Sequence, residues 1–398
     1  ESLGLHYAMR WPRHEMETGR ALRTSPLYER LKAKGACFGS KMGWERPNWF
    51  ARPGEKPEMR YTLGRPDWLA AVIGEQRAVR AAAGLFDQTS FGKLEVQGRD
   101  ALSVLERLCA NRIDIPVGQV VYTAMLNGRG GFESDFTVQR VGAEQFLVVT
   151  GTAQPVRDAA WIRRHLRDGE QVTVTDITDQ WCVLSLIGPC APEILSHVAL
   201  ADFGARPVNV SYVGGAGCEI YVPVARAAAL YDALWDAGRG LGLKDCGYFA
   251  LDALRIEVGR RAFPSELSPD FTPWEAGLGF AVKLDKGEFI GREALAALKS
   301  DALSKRLLLF TFAETELFAW GGEPILREGK PVGEISSTGY SARLGLMVGM
   351  GYVHSERPET AREVLARRYE IEISGRRVAA SSSLRAPWSR AVRYPIGP

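Results

Sequence analysis

Residues 120–138 read VVYTAMLNGRGGFESDFTV, and this stretch decides how the chain around it is interpreted. Two strand-like runs flank a glycine-rich turn at 127–131, which predicts a β-hairpin. Side chains alternate along a strand, so Phe132 and Phe136 share one face and Asp135 lies on the other. Tyr122 lies in the partner strand. The hairpin therefore predicts a carboxylate beside an aromatic ring on its polar face.

A second stretch, VNVSYVGGAGCEIYVP at 208–223, repeats this arrangement around the loop at 214–217. Here Ile220 and its alternate neighbours face one way, whereas Glu219 and Tyr221 face the other. Carboxylates beside aromatic rings suit a flat, polar heterocycle with adjacent N–H donors. The alternative for each is a solvated charge on an outer strand face, which is common in proteins.

Outward from these hairpins, helical spacing predicts helices in DWLAAVIGEQRAVRAAAGL, with Asp67 as the N-cap, and in RDALSVLERLCANRI, ARAAALYDALWDAG and YFALDALRIEVG. After Ala302 the chain changes to strand-like runs separated by glycine, which indicates a small all-β barrel. The first sixty residues are rich in aromatic residues, glycine and proline, and we expect an irregular segment draped over a neighbouring domain. The sequence thus predicts an α+β protein with several lobes.

Composition excludes several classes of function. The net charge of +3 argues against nucleic acid as a partner. No apolar run is long enough to span a membrane, and the first residues do not form a signal peptide. The chain starts with Glu1, so we expect it to be a piece of a longer protein. Residues 1–60 and 361–398 are each basic, which could attract an acidic ligand tail or a partner surface, or reflect solvated arginines.

Cysteine and histidine spacing argues against a metal site. The six cysteines form no CxxC pair, and the five histidines lie far apart in sequence. The same spacing gives no disulfide framework, so we expect a reducing, cytoplasmic setting. Nucleotide-binding loops, the GxSxG elbow and HExxH are all missing, so a flavin or nicotinamide would have to be held by another domain.

Six ordered motifs resemble the tetrahydrofolate-binding aminomethyltransferases typified by the glycine cleavage T-protein. They are LFDQTSFGKLEVQGRDA, VVYTAMLNGRGGFESDFTV, LSLIGPCAPEIL, VSYVGGAGCEIYVP, ALDALRIEVG and TPWEAGLGFAVKLDKGEFIGREAL. The stretches GLHYAMRWP and SPLYERLKAKGACFGSKMGWERPNWF resemble the junction between the flavin and folate halves of dimethylglycine and sarcosine dehydrogenases. The resemblance implies a multi-lobed aminomethyltransferase fold, with a junction segment at 1–60, a folate-binding domain at 61–302 and a barrel at 303–398.

The resemblance also implies a reaction. A flavin-dependent domain or subunit, which carries the FAD, oxidises an N-methyl amine, and the folate half captures the one-carbon unit on tetrahydrofolate. Asp135 matches the catalytic carboxylate near the reactive folate nitrogens, and Glu219 matches the residue that pairs with the pterin. The other positions that match folate-binding residues are Tyr122, Thr123, Ala124, Tyr212, Tyr221, Phe280 and Arg255. For Arg255, a structural ion pair on a helix is the alternative.

Two departures from the family pattern bear on function. Asn209 and Gly215 replace an arginine and a glutamate of the usual loop, which leaves no unpaired charge but could alter folate affinity. The stretch DKGEFIGRE lacks the cysteine of the branch linked to iron–sulfur cluster assembly. Two alternatives remain: a direct tetrahydrofolate-dependent methyltransferase acting on a sulfonium, ether or quaternary amine, and a folate-binding module without catalysis.

Overall fold

The structure is a computed structural model that describes residues 12–298, 300–313 and 315–386, together with Gly4 and Tyr7. Most of the junction motif at 4–12 and the basic residues beyond 386 lie outside the described residues. The described helices are α1 (Tyr28–Ala33), α2 (Leu69–Ala81), α3 (Ala101–Leu108), α4 (Pro155–Arg164), α5 (Ala191–Ser196), α6 (Val224–Gly238), α7 (Tyr248–Glu257), α8 (Arg292–Leu298) and α9 (Ala361–Leu365).

The strands form a hairpin, two five-stranded sheets and a closed barrel. Their bounds are β1 (Ala36–Lys41), β2 (Trp44–Phe50), β3 (Ala83–Asp87), β4 (Gly92–Gln97), β5 (Val120–Leu126), β6 (Phe132–Gly142), β7 (Gln145–Thr150), β8 (Thr173–Asp176), β9 (Trp181–Ile187), β10 (Arg206–Val208), β11 (Gly217–Pro223), β12 (Leu243–Asp245), β13 (Ala302–Phe312), β14 (Pro324–Arg327), β15 (Lys330–Ser341), β16 (Leu346–Thr360), β17 (Tyr369–Ile373) and β18 (Arg376–Ser383).

One five-stranded sheet has the order β10-β11-β9-β3-β12, and the other has the order β5-β6-β7-β4-β8. Both are antiparallel except where β12 pairs with β3. Side chains of the two sheets meet in a shared apolar cluster that includes Leu147, Val183 and Tyr221. The sheets therefore pack against each other next to the strands that carry Asp135 and Glu219.

The C-terminal strands close a barrel in the order β13-β16-β15-β14-β17-β18, as the glycine-separated runs predict. Its apolar interior is continuous with Trp68, directly before α2, and with Val72 on α2. The observed mixture of helices, sheets and a terminal barrel confirms the α+β class and the barrel.

The first hairpin is confirmed. β5 and β6 pair around the turn at 127–131, and Phe132, Ser134, Phe136 and Val138 are buried on one face. The oxygen Oδ1 of Asn127 accepts hydrogen bonds from the backbone N–H groups of Arg129 and Gly131. A local side-chain bond of this kind stabilises a tight turn.

Three local predictions need correction. The N-terminal segment is irregular only in part: β1 and β2 form an antiparallel hairpin, with a register shift next to the pair of Phe38 and Pro47. The first strand of the second hairpin is β10, which ends at Val208, so most of the predicted strand at 208–213 is loop. At the end of this loop the carbonyls of Val213 and Gly214 accept hydrogen bonds from Arg80 instead of a partner strand. Asp67 does not cap α2; its carboxylate lies 3.7 Å from Arg60.

Among the described helices, none is long and apolar enough to cross a membrane.

Candidate functional site

A cavity of about 440 Å³ lies where the two sheets, α7, the N-terminal hairpin and the barrel meet. This volume is in the usual range for sites that enclose small molecules. Asp135 and Glu219 both line the cavity, although they lie in different sheets and 84 positions apart in the chain. Each sheet thus contributes one carboxylate to a common wall, which we call the acceptor wall (Asp135 and Glu219).

Strand alternation positions Asp135. Its neighbours Ser134 and Phe136 point into the protein core, so the carboxylate points toward the cavity. The hydroxyl of Tyr122, on the paired strand, donates a hydrogen bond to Oδ2 at 3.0 Å. Burial removes solvation from the charged form and raises the pKa of Asp135 to about 7.

Glu219 is positioned in the same way on β11. Cys218 and Ile220 are buried in the core on the other face of the strand. The hydroxyl of Tyr221 donates to Oε2 of Glu219 at 2.9 Å, and burial raises the pKa of Glu219 to about 7. Two carboxyl groups that change charge near neutral pH can accept a proton, bind N–H donors, or stabilise positive charge at a bound molecule.

Other residues that the resemblance selects also reach the cavity wall. Tyr212 lines the cavity, and its hydroxyl donates to the carbonyl of Arg261 at 3.0 Å. Arg255 lines the cavity too, but its guanidinium contacts Asp252 at 2.6 Å and Glu266 at 2.8 Å. These contacts match the structural ion pair, which was the alternative for this residue.

Thr123, Ala124 and Phe280 are not among the residues that line the cavity. Thr123 alternates with Tyr122 and turns inward, where its hydroxyl accepts the N–H of Asn111 at 3.0 Å. Ala124 packs in a separate apolar cluster. Phe280 is 58% exposed, and its ring centroid lies 6.1 Å from that of Tyr122. The contact of these three residues with folate stays a prediction of the resemblance.

The cavity also has polar residues that sequence reasoning missed. Gln88 is buried on the wall, and its Oε1 accepts no hydrogen bond from the part of the chain that the structure describes. Its backbone N–H donates to Val183, which pairs with Tyr221, so Gln88 lies across β9 from the strand of Glu219. A single glutamine after a strand does not indicate, from sequence alone, that it lies near the strand of Glu219.

The N-terminal hairpin and the barrel supply further cavity residues. Arg13, Lys41 and Arg46 come from the first fifty residues, and Trp320 comes from the loop before β14. The basic character of the N-terminal sixty residues was the only signal for this part of the wall. No group of three or more potential metal ligands occurs within the described residues.

Family models match most of the chain. The GCVT N-terminal domain matches residues 27–286, and the glycine cleavage T-protein C-terminal barrel domain matches residues 305–388. The chain belongs to the glycine cleavage T-protein family. It is thus an aminomethyltransferase-type folate-binding domain, as the motifs indicate.

The solved glycine cleavage system aminomethyltransferase T from Bartonella henselae is 26% identical and superposes with a TM-score of 0.77, covering 92% of this chain and 98% of that one. Three curated relatives are longer. The 4-methylaminobutanoate oxidase (formaldehyde-forming) of Paenarthrobacter nicotinovorans is 37% identical over 97% of this chain and 48% of its own length. The mitochondrial pyruvate dehydrogenase phosphatase regulatory subunit of Mus musculus is 34% identical over 96% of this chain and 48% of its own length.

The mitochondrial dimethylglycine dehydrogenase of Mus musculus is 33% identical over 96% of this chain and 46% of its own length. The chain therefore spans about half the length of these three curated relatives. By name, these relatives are one oxidase, one regulatory subunit and one dehydrogenase.

Proposed function

We propose that this T-protein-family domain transfers one-carbon units to tetrahydrofolate, taking the carbon released by oxidative demethylation of an N-methyl amine such as dimethylglycine or sarcosine. The observation that carries this proposal is the acceptor wall, where two half-buried carboxyl groups face one cavity and each accepts a tyrosine hydrogen bond. The N-methyl amines in the names of relatives support the choice of substrate class.

The residues present fit a reduced pterin. The cavity volume of about 440 Å³ suits a fused ring system, and the carboxyl groups of Asp135 and Glu219 offer acceptors for its N–H groups. Glu219 would hold the ring by hydrogen bonds from adjacent N–H groups, which are strengthened when the carboxylate is charged. When bound, tetrahydrofolate supplies the nucleophilic nitrogen that takes up the one-carbon unit.

Asp135 would take the proton that this nitrogen releases. With a pKa of about 7 the carboxyl is partly ionised at neutral pH, which is the range in which a general base is most effective. The hydroxyl of Tyr122 holds Oδ2, which fixes the carboxyl against rotation and leaves Oδ1 for the ligand. The carboxylate also stabilises positive charge on an incoming iminium-type carbon donor.

A flavin-dependent domain or subunit, with FAD bound there, would carry out the oxidation. This chain spans about half of its curated relatives, and two of them have oxidase or dehydrogenase names. The absence of dinucleotide-binding motifs supports placing the flavin outside this chain. All six cysteines are free thiols, which supports a reducing compartment such as the cytoplasm.

The substitution Asp135→Asn tests the proposal. It preserves shape and the bond from Tyr122, so the variant should fold, and its folate affinity should stay near wild type. Formation of methylene-tetrahydrofolate with the amine-oxidising partner should fall by about 10²–10⁴, the usual contribution of a positioned base. The assay follows methylene-tetrahydrofolate and trapped formaldehyde together, and subtracts the uncatalysed condensation.

The matched control is Asp168→Asn, which removes an exposed carboxylate that does not line the cavity. We expect wild-type transfer from this control. Amine oxidation should continue in the Asp135→Asn protein, with formaldehyde released instead of methylene-tetrahydrofolate. Undiminished transfer by Asp135→Asn would refute the assigned role.

A second candidate function is a regulatory folate-binding module without catalysis. The regulatory subunit among the relatives favours it, as do the neutral residues at Asn209 and Gly215. This candidate requires that the protein binds folate and that Asp135→Asn does not change the rate of methylene-tetrahydrofolate formation. The assay just described therefore separates the two functions.

A further inference from the structure

The cavity has a second wall of opposite polarity, formed by Arg13, Lys41, Arg46, Trp68 and Trp320, which we call the donor wall. Three of these side chains are cations, and the other two carry an indole N–H. The donor wall comes from the N-terminal segment with its hairpin, from the residue before α2 and from the loop before β14, whereas the acceptor wall comes from the two five-stranded sheets.

The register of the N-terminal hairpin brings two of the cations together. Lys41 pairs with Trp44, and Gly39 pairs with Arg46, so the side chains of Lys41 and Arg46 lie on the same face. The guanidinium of Arg46 stacks over the ring of Tyr248 at 3.9 Å. When a guanidinium stacks on a ring, its N–H groups point outward along the guanidinium plane, where they can donate to a ligand.

Two indoles lie beside these cations. Trp68 is 7% exposed and Trp320 is 6% exposed, and their ring centroids lie 6.0 Å apart. Neither Nε1 atom has a hydrogen-bond partner in the described ranges, and neither has open surface that a molecule in the cavity could contact. The indoles therefore contribute apolar ring surface to the wall, and its charge comes from the three cations.

The acidic groups near the donor wall have partners already. Glu15 accepts the N–H of Ser40 at 2.8 Å and the amide of Asn48 at 3.1 Å. Asp252 accepts from Arg255 at 2.6 Å.

We propose that the donor wall binds a carboxylate of a molecule in this cavity. This inference rests on the proposed function for the choice of ligand, since both reactants of that function carry carboxylates. One source is the glutamate tail of the folate; the other is the acid group of the N-methyl amino acid. In either case, a ligand with N–H donors or a cationic nitrogen at one end and a carboxylate at the other matches the two walls.

The test is calorimetric titration of the full chain with three ligands: tetrahydrofolate triglutamate, tetrahydropteroate, which lacks the glutamate, and dimethylglycine. The test variant is the double substitution Lys41→Met with Arg46→Gln. The matched control is Lys56→Met, an exposed lysine of the same segment that does not line the cavity. Trp320→Phe keeps an aromatic ring and removes one indole N–H. If the double variant does not fold, Arg46→Gln alone is titrated.

If the folate tail is the ligand, the dissociation constant of the triglutamate should rise about tenfold in the double variant and less in Trp320→Phe, while that of tetrahydropteroate stays unchanged. If the amino acid is the ligand, dimethylglycine should lose affinity and both folates should bind as before. Added salt should weaken the affected ligand in the wild type more than in the double variant. The Lys56→Met control should bind all three ligands like the wild type.

Unchanged affinity for all three ligands in a folded variant would overturn the proposal, as would a wild type that binds none of them. Failure of the proposed function looks different. In that case neither folate binds to the wild type, whereas the dimethylglycine titration still tests the donor wall.

Discussion

At the scale of single residues, burial sets the chemistry of the acceptor wall. Asp135 and Glu219 have neither lysine nor arginine as a hydrogen-bond partner in the described chain; each accepts from one tyrosine hydroxyl. Loss of solvation therefore outweighs the hydrogen bond, and both pKa values rise to about 7. Arg255 and Glu266, by contrast, are fully buried and form an ion pair with each other, which gives them a structural role.

The raised pKa of Asp135 predicts a pH-dependent stability effect. The carboxyl ionises near 3.8 in the unfolded chain and near 7 in the folded one. Between these values the folded state binds more protons, so this contribution to stability is lost as pH rises from about 4 to 7. Asp135→Asn cannot ionise and should be more stable than wild type by about 1–3 kcal/mol at pH 8, and equal to it near pH 3.5.

Urea denaturation at the two pH values measures this difference. The Asp168→Asn protein serves again as the control, and its free energy of unfolding should equal that of the wild type at both pH values. A variant at Asp135 that is less stable than wild type at pH 8 would show that its carboxylate is stabilised in the fold.

At the scale of elements, turns place the strands that carry the site. The turn at 127–131 sets the register of β5 and β6 and thereby brings Tyr122 beside Asp135. Gly131 approaches other backbone closely, since a Cβ there would lie 2.0 Å from the carbonyl oxygen of Pro269. Gly128 in the same turn has open space around it.

We therefore expect Gly131→Ala to destabilise the protein by about 2–4 kcal/mol, because backbone must move to admit the methyl group. Gly128→Ala should change the free energy of unfolding by less than about 1 kcal/mol. Chemical denaturation measures both. Folate affinity, measured by calorimetry, should fall only for Gly131→Ala. Equal stabilities of the two variants would contradict the close approach at Gly131.

At the scale of the whole molecule, buried polar bonds join the parts that surround the cavity. Glu75 on α2 accepts backbone N–H groups of Phe50 and Gly247, both at 2.8 Å. Arg255 on α7 pairs with Glu266 and donates to Ser337 of the barrel at 2.7 Å. The cavity walls thus depend on contacts between segments that are far apart in sequence.

Arg255→Met should destabilise the protein by about 3–5 kcal/mol, because Glu266 would keep a buried charge without its partner. The double substitution Arg255→Met with Glu266→Leu should recover part of this loss. Arg376→Met provides the control, since its pair with Glu316 is exposed and should contribute less than about 1 kcal/mol. Thermal and urea unfolding measure all three, and a mild effect of Arg255→Met alone would show that this ion pair is dispensable.

Much of the fold was predictable from local pattern. Side-chain periodicity depends only on near neighbours in the chain. It predicts the alternation around Asp135, the helical faces of α2 and α3, and the glycine-separated barrel strands. The prediction for β10 was wrong because Arg80, more than 120 positions away, bonds the loop carbonyls. The irregular structure expected at 36–50 was wrong because its strands pair with each other around a proline.

The sequence by itself determined that Asp135 and Glu219 lie on polar strand faces beside tyrosines, and that the chain resembles a folate-binding family. Only the tertiary structure decided that both carboxylates share one cavity and that Thr123, Ala124 and Phe280 lie off its wall. It also decided that Gln88, Lys41, Arg46 and two tryptophans complete the cavity. The physical reason is that alternation fixes which way a side chain points, whereas a cavity depends on contacts between distant segments and on the water that those contacts exclude.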